Sequence, residues 1–142
     1  MTLAHPGPHL ADALTIVRLS LHVFAACVWV GGQVTLGGLV GTLRREAPGS
    51  LASVARAFAR LAWPAYALLI VTGIWNVAAV RASQASSAWS AVFALKMVLV
   101  VVAGAGTLAH QRATTPSRRG VAAGVGTLAT VAALVLGVAL AG

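Results

Sequence analysis

The sequence predicts an all-α integral membrane protein, an antiparallel bundle of four transmembrane helices with both termini outside. Two observations predict it. Apolar residues make up 59% of the 142 residues and charged residues 8%, where soluble domains carry about 25% charge, and the mean hydropathy is +0.91. Four apolar stretches, at about 12–43, 61–80, 88–109 and 120–141, are each long enough to cross a hydrocarbon core about 30 Å thick. Together they use nearly the whole chain, so residues 1–142 form a single membrane domain.

The amino-terminal segment Met1 to Asp12 carries two prolines, two histidines and no apolar run of signal-peptide type. The first span is therefore expected to act as its own insertion signal. It runs from about Asp12 to Leu43, and Arg44, Arg45 and Glu46 with the Pro48-Gly49-Ser50 turn close it. An amphipathic lead from Leu51 brings Arg56 and Arg60 to the second span, Leu61 to Val80, with Pro64 near its start. The polar loop Ala82 to Ser87 separates it from the third span, Ala88 to Ala109, which His110, Arg112, Arg118 and Arg119 follow. The fourth span, Gly120 to Ala141, has no ionisable side chain. Gly37 with Gly41 and Gly120 with Gly124 are small-xxx-small pairs and predict close backbone packing, within the bundle or in a homodimer.

Ten Lys and Arg against two acids give a net charge of +8. The basic residues sit at helix ends, so they report topology and exclude a nucleic-acid partner. Arg44, Arg45, Arg56, Arg60, Arg112, Arg118 and Arg119 fall in or beside loops one and three, which makes those loops cytoplasmic and leaves His5 and His9 on the outer side. The carboxylates, Asp12 and Glu46, both lie at span ends. That argues against a general acid/base enzyme and against a proton relay through Asp or Glu.

Several polar residues do not belong in lipid. At about 100° per residue, Arg18, His22, Trp29 and Gln33 fall within about 60° of one another on the first helix, whereas Cys27 points about 140° from His22. Lys96 lies inside the third span, where an ammonium costs several kcal/mol unless it finds a partner, water or the interface. Counting inward from the outer ends puts Arg18, His22, Asn76 and Lys96 in one outer layer, with Thr72 one turn deeper on the Asn76 face. Their convergence is the candidate site. Each also has a plainer reading: Lys96 snorkelling, His22 packed by a hydrogen bond, Arg18 anchoring the interface, His110 solvated, and His5 and His9 as part of a loose tail rather than a metal-binding pair.

The run His22 to Gly32 (HVFAACVWVGG) resembles the first motif of the copper resistance D domain family of bacterial integral membrane proteins, and the resemblance continues through Arg60, the Thr72-Gly73 pair, Lys96, His110 and Arg112. Members of that family are longer multi-span proteins, and the chain resembles their four-helix domain. The resemblance implies copper transport or resistance at the bacterial cytoplasmic (inner) membrane, with His22 meeting the ion; His5 and His9, outside the motif, are the further candidate metal ligands. A first-helix His followed by a later helical Lys is also similar to the bacterial membrane protoporphyrinogen oxidase group. That likeness implies haem b, with His22 as axial ligand, Lys96 opposite or near it, and Arg18 suited to a propionate; Asn76 and Trp29 complete the candidate cofactor-binding set. A third expectation is an accessory subunit whose Gly and Ala faces dock on a larger membrane protein. Copper handling leads on the resemblance, haem binding follows on residue chemistry, and the accessory role comes close behind.

Overall fold

The computed structural model describes residues 10–79 and 86–140, so His5, His9 and Arg81 lie outside the described residues. The first span, Ala13–Glu46, consists of α1 (Ala13–Ala26), one π-helical turn (Cys27–Gly31) and α2 (Gly32–Glu46). A 3-10 turn at Pro48–Ser50 leads into α3 (Leu51–Ala79), which is followed by α4 (Ser87–Arg112) and α5 (Pro116–Ala139). Four helical spans of membrane-crossing length and composition make this an all-α four-helix bundle of a multi-pass membrane protein.

Local chemistry sets the helix ends. The Asp12 carboxylate caps α1, accepting the Thr15 N–H at 3.0 Å and the Thr15 hydroxyl at 2.8 Å. Those two bonds favour the charged form and hold its pKa below the ordinary 3.8. Ser86 caps α4 through the Trp89 N–H at 3.1 Å, and Thr115 caps α5 just before Pro116, whose missing N–H is harmless at a first helical position. Arg44 and Arg45 end α2, and His110 and Arg112 end α4, where positive charge complements the helix dipole.

Two elements differ from the sequence expectation. The lead from Leu51 is no separate segment but the first turns of a 29-residue helix, and this places Pro64 in its interior. The Ala-rich run around it supplies enough helix propensity to carry the chain past the one bond that Pro64 cannot make. The first span is also not a uniform α-helix. The π turn at Cys27–Gly31 inserts a residue and rotates α2 against α1; within it Trp29 is buried and Cys27 exposed.

The buried core is made of small residues, Ala25, Ala62, Ala65, Ala103, Ala129 and Ala133, together with Trp29, while Leu128, Val101, Leu61 and Val138 face outward. That is the pattern of a bundle whose solvent is hydrocarbon, held by close packing rather than by hiding large apolar chains. Helices α4 and α5 approach most closely at Gly106, where a Cβ would stand 2.8 Å from the Gly126 Cα. Gly32 is covered by the Phe58 ring, whose Cζ would lie 2.8 Å from an added Cβ. The glycine pairs singled out in the sequence do not perform this packing: nothing lies within 4 Å of a Cβ built on Gly37, Gly120 or Gly124, and Gly41 meets only Arg45 of its own helix. Their faces turn away from the neighbouring helices of the same chain.

Candidate functional site: a polar layer across the bundle

The up-and-down order gathers Arg44, Arg45, Arg56, Arg60, Arg112, Arg118 and Arg119 at one end and leaves the polar residues of the spans toward the other. His22, near the middle of α1, meets Thr72 of α3 with Nδ1 2.8 Å from the Thr72 Oγ1. The Thr72 hydroxyl hydrogen goes to the Leu68 carbonyl at 2.6 Å, so its oxygen is left as an acceptor and the imidazole donates from Nδ1. The neutral ring then carries its lone pair on Nε2, which makes no hydrogen bond among the described residues and remains accessible. Gly73 lies against the same ring, 3.8 Å from Cε1 to a Cβ built on it. Thr72 itself is 1% exposed, so the imidazole is oriented by a group that has nowhere else to turn.

Helices α1 and α3 run antiparallel through this contact. One turn outward, Arg18 of α1 is therefore level with Asn76 of α3, and the Arg18 Nε and Asn76 Oδ1 are both buried without a partner among the described residues. On the other hairpin, Lys96 reaches from α4 across α5, its Nζ 3.0 Å from the place of a Gly137 Cβ. Glycine at 137 is what leaves room for the ammonium. The Tyr66 hydroxyl donates to the Val100 carbonyl at 2.7 Å and pins α3 to α4. Thr72 lies six residues outward along α3 and Lys96 four residues outward along α4, so the two stand at about the same depth. Of the residues that span counting puts at one depth, the structure joins His22 to Thr72 and places Lys96 beside Gly137 of α5, while Arg18 and Asn76 stand a turn outward.

Trp29 lies two turns deeper and 3% exposed, its ring centroid 4.6 Å from Tyr66 and 5.9 Å from Trp63. These three rings close the layer from the arginine-rich end, and that is where Trp29 acts rather than beside the imidazole. Trp89 and Phe93 stack at 5.5 Å near the opposite end of α4, as an interfacial aromatic pair would. His110 is a staple rather than a solvated bystander, donating from Nδ1 to the Arg119 carbonyl at 2.9 Å across the third loop. Cys27 is exposed and takes no part in the layer. Among the described residues no three His, Cys, Asp or Glu side chains gather as a metal-binding group.

Sequence reading missed Thr72 as the partner of His22, and missed Gly137 and Tyr66 altogether. The Thr72-Gly73 pair was the available signal: a hydroxyl beside a residue with no side chain, on the Asn76 face, makes room for an imidazole and offers it an acceptor. The chain matches no known protein family, no curated protein and no solved structure.

Proposed function

We propose that the chain is a membrane redox protein that binds haem b in the polar layer, where the Nε2 of His22 would hold the iron. One observation carries the reading: an imidazole with its tautomer fixed and Nε2 free shares a layer with two cations, Arg18 and Lys96, that have no carboxylate to neutralise them. Asp12 is engaged with Thr15, and Glu46 ends α2 at the far end. Unneutralised cations inside a membrane are costly and mark a ligand site, and the ligand that relieves them is an anion able to enter hydrocarbon. An iron tetrapyrrole offers both a metal for Nε2 and propionates for Arg18 and Lys96. Bound there, it would supply one-electron chemistry. The protein's own part is to present Nε2 through the Thr72 tie, neutralise the propionates, and exclude water with Trp29, Trp63 and Tyr66.

Copper would use the same Nε2, joined by His5 and His9 outside the described residues. An ammonium in the same layer opposes a second cation, and for that reason we rank copper handling second, although the sequence resemblance favours it. The test is titration of detergent-purified protein with haem and with haem dimethyl ester, which lacks the propionate charges. The expected result is tighter binding of haem by about tenfold or more, a difference of about 1.4 kcal/mol, that collapses in an Arg18→Gln, Lys96→Met double variant. Equal affinity for the two compounds in the wild type would contradict the reading.

A further inference from the structure

At the arginine-rich end, well away from the polar layer, α4 and α5 enclose an open groove of about 490 Å³. Val102, Ala105, Gly106 and Ala109 line it from α4, and Ser117, Arg118, Val121, Ala122 and Val125 from α5. Each set has the three-and-four spacing of one helix face. The Gly106–Gly126 approach draws the two backbones together and leaves Gly106, Ala105 and Ala122 as a shallow base, while the valines form the sides. Arg118 and Ser117 are the only polar groups, and both stand at the mouth. Arg119, by contrast, is committed to the Ala113 carbonyl at 2.9 Å.

We infer that this groove seats one acyl chain of an anionic phospholipid whose phosphate is held at Arg118. From Ser117 to Val125 the groove runs about 12 Å at 1.5 Å per residue. A single leaflet contributes about half of the 30 Å hydrocarbon core, so the groove matches one chain hanging from a headgroup at the interface. Its lining is apolar along that length and cationic only at the end where a headgroup would lie. A second copy of the chain would bring its own Arg118 and Arg119 to the same mouth, and like charge opposes that occupant. Basic pockets between helices on the positively charged side are a recognised form of anionic-lipid site.

The test is native mass spectrometry of the full chain in detergent, with phosphatidylglycerol or phosphatidylcholine added at equal concentration. The wild type is expected to retain phosphatidylglycerol about fivefold better, the preference of about one added charge contact at a membrane surface. Arg118→Gln removes the preference and leaves weak binding of both lipids. Ala105→Leu, at an exposed position, fills the groove and abolishes retention of both. Equal retention of the two lipids by the wild type would overturn the inference, as would unchanged retention in Ala105→Leu. A dimer mass lost in Ala105→Leu would overturn it in favour of a self-interface. Haem binding is unaffected in every variant, so this result is independent of the function proposed above.

Discussion

The hydrogen bond between His22 and Thr72 decides what the imidazole can do. Thr72→Val keeps the shape of the side chain but leaves the Nδ1 donor without its acceptor, so the ring loses both tautomer and orientation. Groups that hold a metal-bound His in this way typically contribute about 10- to 100-fold in affinity. Thr72→Val is expected to weaken haem binding in that range, and Thr72→Ser to retain most of it; a Soret titration of the three proteins checks this, and equal weakening by Ser and Val would speak against it. At the amino-terminal end, the Asp12 cap has its pKa lowered in the folded state. Its contribution to stability is therefore present above the ordinary carboxylate value and is lost as the pH falls through the lower folded one. Thermal melting in detergent should show the wild type losing stability relative to Asp12→Asn, which caps without titrating, as the pH falls below the ordinary carboxylate value of 3.8. Parallel curves for the two proteins would show the cap to be idle.

Among the elements, the tightest constraint is the α4–α5 contact. A Cβ on Gly106 would meet the Gly126 backbone at 2.8 and 2.9 Å, and backbone cannot step aside as a side chain can. On Gly126 the nearest atom would be the Thr107 nitrogen at 3.3 Å, and on Gly120 nothing lies near. The expected order of destabilisation is Gly106→Ala, then Gly126→Ala, with Gly120→Ala neutral. Overpacking of this kind costs about 1–3 kcal/mol, and unfolding in a denaturing detergent series measures it. A Gly120→Ala variant as damaging as Gly106→Ala would show that the sequence pairs, not the observed ones, do the packing. The difference also shows what could be read beforehand. Hydropathy alone delimits the spans, because lipid demands a continuous apolar surface. Spacing of small residues says only that some face allows close approach, and which face is used depends on helix rotation. The π turn at Cys27–Gly31 sets that rotation for α2, and nothing in a count at a constant angle per residue reveals it. Pro64, expected near the start of its span, lies deeper in the helix because α3 begins ten residues earlier, at Leu51.

At the scale of the whole molecule, charge and polarity are segregated: arginines gather at one end, an aromatic cluster spans the middle, and a polar layer lies toward the other end. The depth of His22, Lys96, Arg18 and Asn76 was legible because antiparallel spans of known rise can be counted from their ends. That Cys27 faces away from His22 followed from the helical period of the first span. The partner that fixes the imidazole was not legible, because it depends on the register between α1 and α3, which the short helix-closing signals leave open by a turn. On the function proposed above, an imidazole with a free Nε2 and two unneutralised cations suit the layer to an anionic, metal-bearing ligand. An absorption spectrum with metal analysis on detergent-purified wild type and His22→Ala, both reconstituted with haem, tests this most directly. The account predicts a Soret band with iron bound at one per chain in the wild type and absent from His22→Ala. A Soret band of equal strength in both proteins, or a wild type that stays colourless, would contradict it.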